Sequence, residues 1–234
     1  MKLSLVVPFY NEENAAEEVV RDLLTELKRN EIDFELILVN NGSVDRTPDI
    51  LRMLSEENPE IKLVTVTQNE GFGWGVINGI MAAKAEYIGF MPGDGQLRAK
   101  DIVKVYEKLV SENLDLCKGK RVTREDGLAR QIQSKAFNFI LPLFFSVQTK
   151  DINGCPKIMK YESLLKLNPS CRDWFLDTEI MIKANNFKFN LGEVPVTFKH
   201  RRGGSSKVKL SSVLEFLTNM LKYKLKGFQG AEKL

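Results

Sequence analysis

Four short, nearly continuous apolar runs decide what this chain can become: LSLVVPF (3–9), FELILVN (34–40), IKLVTVT (61–67) and YIGFM (87–91). Each lacks the alternation of a half-exposed strand, so each reads as a strand covered on both faces. Between them lie NAAEEVVRDLLTELKRN, TPDILRMLSEEN and WGVINGIMAAKA, whose apolar residues recur at helical spacing. The β-α-β-α-β-α-β order predicts an α/β domain with right-handed crossovers and a mostly parallel sheet. In such a sheet, ligands bind outside the carboxyl ends of the strands. That brings four loops to one edge: PFYNEEN, NNGSVDRT, QNEGFGWG and PGDGQL. Any one alone reads as an ordinary turn, whereas four polar, glycine-bearing loops at one edge make a pocket.

The second half is less regular. DLCKGKR predicts a short fifth strand and its exit, residues 128–146 a long helix with Pro142 near its end, and DWFLDTEIMIKANN a further helix. NLGEVPVTF predicts a strand that either lies at a sheet edge or ends at Pro195. Residues 208–226 form a basic amphipathic segment, with Val213, Leu217, Met220, Leu221 and Leu225 on one stripe and Lys222, Lys224 and Lys226 near its end. The expected organisation is a domain over 1–207 followed by a C-terminal segment, 208–234.

Lys and Arg total 34 against 31 Asp and Glu, so no global field draws the protein to nucleic acid, and none is expected as a partner. The three cysteines, Cys117, Cys155 and Cys171, are far apart and lack CxxC spacing, which argues against a disulfide framework or a zinc site and for a reducing, cytoplasmic setting. The opening KLSLVVPFY is strand-like and too short for the apolar core of a signal peptide. No run reaches the roughly 20 apolar residues of a membrane span; FNFILPLFFSV (137–147) is interrupted by its proline.

The glycines of GFGWG fit GxGxG rather than GxGxxG and follow the third strand rather than the first, which excludes a dinucleotide fingerprint. In PGDGQL, one carboxylate, Asp94, stands between two glycines at a strand end, and by itself reads as an Asx-turn. Its neighbours change that reading. VPFYNEEN, NNGSVDRT, NEGFGWGVINGI, FMPGDGQL, EVPV and RRGGSSK occur in the order found in glycosyltransferase family 2. More narrowly, the set resembles the branch containing dolichol-phosphate mannosyltransferase and the polyprenyl-phosphate sugar transferases, over residues 3 to about 207.

The resemblance implies a GT-A fold, a Rossmann-like nucleotide-sugar domain. It implies that Pro8, Tyr10 and Glu12 frame the base and ribose of a nucleoside-diphosphate sugar, with Asn40, Asn41, Asp45, Asn69, Gly71 and Gly93 completing the donor site. Many relatives carry paired aspartates where this chain has Asn40 and Asn41; an amide both donates and accepts, a carboxylate only accepts. Relatives also end the fourth strand in Asp-x-Asp, which with a following Gln holds Mg²⁺ or Mn²⁺ against the diphosphate. Here the first acid is replaced by Pro92, leaving Asp94 and Gln96, and a one-acid site is compatible with Mg²⁺ chemistry.

For the acceptor, the resemblance implies that Arg121, Arg130 and Ser134 bind a lipid phosphate. On a helix, residues 130 and 134 share a face. Arg201 and Lys207 of RRGGSSK are implied to close over the departing diphosphate. Asp177 and Glu179 of DTE stand where family members carry a general base; a phosphate acceptor, with a second pKa of about 6, needs no strong base, and the acids would then orient the donor sugar or Arg202. FNFILPLFFSV and the C-terminal segment are each either packed against the domain or set against a membrane. The expectation is an inverting glycosyltransferase moving a hexose to polyprenyl or dolichyl phosphate, peripheral at the cytosolic membrane face. The alternatives are transfer to a saccharide hydroxyl and a non-catalytic nucleotide-sugar-binding scaffold.

Overall fold

In the computed structural model, residues 2–124, 145, 149, 151–199, 218 and 220 are described. The four apolar runs form β1 (Leu3–Phe9), β2 (Phe34–Asn41), β3 (Ile61–Val66) and β4 (Tyr87–Phe90), alternating with α1 (Ala16–Arg29), α2 (Thr47–Glu57), α3 (Phe72–Ala82) and α4 (Ala99–Ser111). Then follow β5 (Leu116–Arg124), β6 (Lys157–Lys160), α5 (Tyr161–Leu167), α6 (Leu176–Asn186) and β7 (Leu191–Phe198). Every residue of β1 and β2 is buried, as their lack of alternation requires.

The strands form one seven-stranded sheet in the order β3-β2-β1-β4-β6-β5-β7. Only β6 runs antiparallel to its neighbours. The carboxyl ends of β1 to β5 and β7 therefore share one edge with the start of β6. In α1, Ala16, Val19, Val20, Leu23, Leu24 and Leu27 make the buried stripe, with Glu17 and Glu18 at its amino end and Lys28 and Arg29 at its carboxyl end, the polarity a helix dipole favours. α3 lies close on the sheet because Gly79 has no side chain: a Cβ there would sit 2.2 Å from Val6 Cγ1.

Two features differ from the sequence expectations, and at β7 one of the two expected alternatives holds. β5 extends to Arg124 and carries an irregularity between Arg121 and Thr123. β7 continues through Pro195, which pairs with Lys120; the strand lies at the sheet edge, where a missing N–H is tolerated. β6 and α5 were unanticipated, because KIMK is too short to display a period. The helix expected over 128–146 lies outside the described residues except for Phe145, which packs partly buried against the core. Of the C-terminal segment, Met220 is helical and only 2% exposed, so this residue of the apolar stripe faces protein.

Candidate active site

The donor side is built from loops that brace one another. After β1, Asn11 N–H donates to Ser43 Oγ (3.1 Å), Asn11 Oδ1 accepts from Val44 N–H (2.9 Å), and Glu12 N–H donates to Thr47 Oγ1 (2.9 Å). Asp45 accepts from the N–H groups of Thr47 and Glu13. Partial burial would raise its pKa, but these hydrogen bonds, led by Thr47, hold it below the usual carboxylate value. Asn40 Oδ1 accepts from Ser43 N–H (3.1 Å), closing the second loop on itself. Asn41 Nδ2 donates to the Gly71 carbonyl (2.9 Å), while Asn69 Oδ1 accepts from Gly71 N–H (2.7 Å). The structure thus brings Pro8, Tyr10, Glu12, Asn40, Asn41, Asp45, Asn69 and Gly71 to the carboxyl ends of β1, β2 and β3.

The Gly71 contact accounts for an amide at position 41, since an aspartate there has no proton to give a carbonyl. Asn41 is 3% exposed, and its Oδ1 has no hydrogen-bond partner among the described residues.

The fourth loop joins this group through Gly93, whose N–H donates to the Pro8 carbonyl (3.2 Å). A Cβ on Gly93 would lie 2.5 Å from the Phe9 ring, so only glycine permits the approach. Asp94 Oδ1 accepts from Gln96 N–H (3.2 Å) around Gly95, whose φ is +74°. The Asx-turn is therefore present, and it orients the carboxylate at the strand end. Gln96 is buried, and its Nε2 donates to the Lys199 carbonyl (3.0 Å) while Lys199 N–H donates to the Gln96 carbonyl (2.9 Å). These bonds tie the loop to the end of β7.

Asp94 and Gln96 offer a carboxylate and an amide oxygen, hard donors suited to Mg²⁺ or Mn²⁺ when phosphate oxygens and water complete the shell. Among the described residues, no group of three or more His, Cys, Asp or Glu could hold a metal ion. A separate groove of about 260 Å³ opens between α1 and this loop, lined in part by Glu18, Asp22, Gly95, Arg98, Lys100 and Lys199. It touches none of the donor-side residues of the first three loops.

Beyond β4 the site edge is a compact set of buried charges. Lys157, with no exposed surface, pairs with Asp177 Oδ1, donates to the Gly154 carbonyl (2.9 Å), and lies 5.9 Å from the centre of the Phe90 ring. Lys118, 1% exposed, pairs with Glu193 (2.9 Å) and donates to the Asp151 carbonyl (2.6 Å). Burial and the nearby Lys157 push the Lys118 pKa down, against the pull of Glu193.

Arg121 is paired in this arrangement. Instead of an open guanidinium ready for a lipid phosphate, it makes a two-nitrogen fork on Asp151, with Nε at 2.9 Å and Nη2 at 2.5 Å, and its backbone N–H adds a bond of 2.8 Å. Burial opposes charge on Asp151, but the Arg121 hydrogen bonds and charge outweigh it and hold the carboxyl below its usual range.

Glu179 is likewise engaged. It has no exposed surface and accepts from Ser170 N–H and Oγ, Cys171 N–H and Lys183 Nζ. A carboxylate so occupied anchors the 170–171 loop. That loop rests on α3: Trp74 N–H donates to the Arg172 carbonyl (2.7 Å), the Arg172 guanidinium stacks 4.2 Å over Trp74, and Trp174 stacks on Phe72 at 4.8 Å. Arg130, Ser134, Arg201 and Lys207 lie outside the described residues.

Lys118, Lys157, Asp151 and Glu193 escape the sequence reading because partners come from separate strands and loops. The available signal was a lysine set among apolar or small residues in LCKGK and CPKIM, where a strand's inward position leaves an ammonium no route to water.

With that geometry in place, residues 4–167, more than half the chain, match Glycosyl transferase family 2. The protein belongs to this family. Over 99% of its length it is 27% identical to a dolichyl-phosphate beta-glucosyltransferase of Trichomonas vaginalis, covering 76% of that protein. It is 29% identical to a dodecaprenyl-phosphate galacturonate synthase of Rhizobium johnstonii, spanning 94% of this chain and 66% of that one. Glucosyl-3-phosphoglycerate synthase of Mycobacterium tuberculosis, solved with Mn²⁺, UDP and phosphoglyceric acid, shares the fold at TM-score 0.73 and 17% identity, over 96% of this chain and 78% of that one. The chain is thus a glycosyltransferase of GT-A fold.

Proposed function

We propose that this family 2 enzyme transfers a hexose from a nucleoside-diphosphate sugar to a polyprenyl or dolichyl phosphate, with inversion at the anomeric carbon. An acceptor phosphate oxygen attacks that carbon as its bond to the diphosphate breaks, and the nucleoside diphosphate departs. The observation that carries this reading is the engagement of both acids at the base position: Glu179 is saturated by donors and Asp177 is paired with Lys157. A phosphate anion attacks without a base, so a site whose acids are already engaged suits it. The relatives from Trichomonas and Rhizobium are named for prenyl-phosphate acceptors, which points the same way.

In this reading the first three loops hold the nucleotide. Asp94 and Gln96 would hold Mg²⁺ or Mn²⁺, which when bound neutralises diphosphate charge. Arg130 and Ser134 would hold the acceptor phosphate, Arg201 and Lys207 would cover the leaving group, and the Arg121–Asp151 fork would stiffen the end of β5. The lipid acceptor puts the reaction at a membrane surface, which we take to be the cytosolic face with the protein peripheral. Among the described residues, no helix is long and apolar enough to cross a membrane.

The test offers UDP-, GDP- and dTDP-hexoses with Mg²⁺ or Mn²⁺ to the protein, with undecaprenyl phosphate, dolichyl phosphate or a soluble saccharide as acceptor. Sugar label passing into the organic phase is expected. Label appearing only on the saccharide would overturn the lipid acceptor, and binding without turnover under every condition would leave a scaffold.

A further inference from the structure

The amino end of α3 meets the 171–173 segment backbone to backbone. Trp74 N–H donates to the Arg172 carbonyl at 2.7 Å. A Cβ on Gly73 would lie 2.2 Å from the Cys171 carbonyl oxygen and 2.7 Å from that of Asp173, and one on Gly71, whose φ is +120°, would lie 2.5 Å from that of Arg172. Three successive carbonyls therefore crowd the positive end of the α3 dipole, and glycines at 71 and 73 are what admit them.

Side chains fasten what the backbones begin. Arg172 Nη1 pairs with Glu70 on the third loop, while the guanidinium carbon lies 4.2 Å from the centre of the Trp74 ring. Arg172 thus grips residues 70 and 74 at once, with its own carbonyl bonded between them. On the other side, Asp173 starts α6: its Oδ1 accepts from Phe175 N–H at 2.7 Å, and its carbonyl from Leu176 N–H at 3.4 Å. The segment 171–175 is therefore a short bridge from the first turn of α3 to the first turn of α6, where Asp177 stands.

An ion pair whose side chains are 57% and 40% exposed adds little to the stability of a fold. Holding a short loop in one form is a different task, and the third loop is where it counts. The Gly71 carbonyl receives Asn41 Nδ2 at 2.9 Å, and Gly71 N–H donates to Asn69 Oδ1 at 2.7 Å. The donor-side amides of the second and third loops thus both depend on where Gly71 sits, and Gly71 is the residue that the Arg172 carbonyl crowds. A ligand that meets a loop already in its bound form is spared the cost of ordering it.

We propose that Arg172 is a positioning residue for donor binding: it clasps the third loop to the amino end of α6, and the sugar nucleotide binds the loop in the form so held. This rests on the nucleotide-sugar reading above, but not on the identity of the acceptor. Because coupling between two sites is reciprocal, donor bound to the third loop must in turn steady the bridge that leads to Asp177.

The test is run without any acceptor, so that a wrong assignment of the lipid does not affect it. UDP-, GDP- and dTDP-hexoses are titrated by calorimetry into the unaltered protein, Arg172→Met and Glu70→Gln. Arg172→Met keeps an apolar stem over Trp74 and the backbone bond to its N–H at an exposed position, which guards against a failure to fold; Glu70→Gln opens the clasp from the loop side alone. Kd for the tightest donor should rise about 3- to 30-fold in Arg172→Met and about 2- to 5-fold in Glu70→Gln. Hydrogen exchange supplies the readout that a merely structural residue would not move. Donor added to the unaltered protein should raise the protection of amides 171–176 together with that of the first three loops, and in Arg172→Met the gain should stop at the third loop.

An unchanged Kd in Arg172→Met would overturn the proposal, as would a gain at 171–176 that is absent from the unaltered protein or survives the substitution. Binding of no donor by the unaltered protein would remove the nucleotide-sugar reading along with it. Equal binding by the unaltered protein and both variants would remove the clasp alone and leave that reading in place.

Discussion

Asn41 shows how a single atom fixes a residue type. Its Nδ2 holds the Gly71 carbonyl at 2.9 Å, and its side chain is wedged so tightly that a Cβ on Gly75 would lie 2.9 Å from the same nitrogen. Asn41→Asp replaces that donor with an oxygen facing the carbonyl oxygen. An unsatisfied buried polar group costs about 1–3 kcal/mol, more when charged, so urea unfolding should register a loss of at least that size. Weaker nucleotide-sugar binding should accompany it, because the third loop is released. Asn40→Asp is the control: Asn40 Oδ1 accepts from Ser43 N–H, a role a carboxylate performs equally well, and near-parent stability is expected. The notable feature in the sequence was the loss of two aspartates. What it could not show was that the two positions differ, one amide accepting and the other donating.

At the scale of elements, α6 and the loop before it behave as one piece because Glu179 gathers their donors. Ser170 and Cys171 supply N–H groups at 2.9 and 2.7 Å, Ser170 also its hydroxyl at 2.9 Å, and Lys183 closes the set at 2.6 Å. Glu179→Gln keeps the shape but removes the charge and turns an NH₂ towards some of these donors. Hydrogen bonds to a charged group are worth about 1.5–3 kcal/mol each, so a loss of a few kcal/mol is expected from the set. Hydrogen exchange should place it, with the amides of residues 170–174 and the first turn of α3 losing protection while β1 and β2 keep theirs. The β-α alternation of the first half was legible because each strand is an apolar run flanked by helical periods. The second half was less so, since β6 has four residues and depends for its place on partners that are distant in sequence. Glu179 looked like a candidate base for the same reason: its spacing is visible in the sequence, but the donors that saturate it are not.

Across the whole molecule, the buried Asp151 and the half-buried Glu193 at the site edge contribute to how the fold responds to pH. Asp151 and Glu193 both have pKa values below their usual range, Asp151 through Arg121 and Glu193 through Lys118 and Thr149, in each case against the opposing effect of burial. A carboxyl with a folded pKa below its unfolded one adds stability above the unfolded value, and that contribution is lost as pH falls through the folded value. With unfolded carboxylates titrating at about 4, stability should be nearly flat from neutrality to about pH 5 on this account and fall steadily below it. Arg121→Met isolates the Asp151 share. Breaking one side of a buried pair costs about 3–5 kcal/mol near neutrality, where Asp151 is left charged and unpaired. In acid the same carboxyl takes up a proton and the missing arginine matters less, so the unfolding curves of parent and variant should converge as pH falls. A constant gap from pH 7 to pH 3 would show instead that Arg121 contributes by packing over Phe198, whose ring centre lies 5.4 Å from its guanidinium carbon, and not by charge.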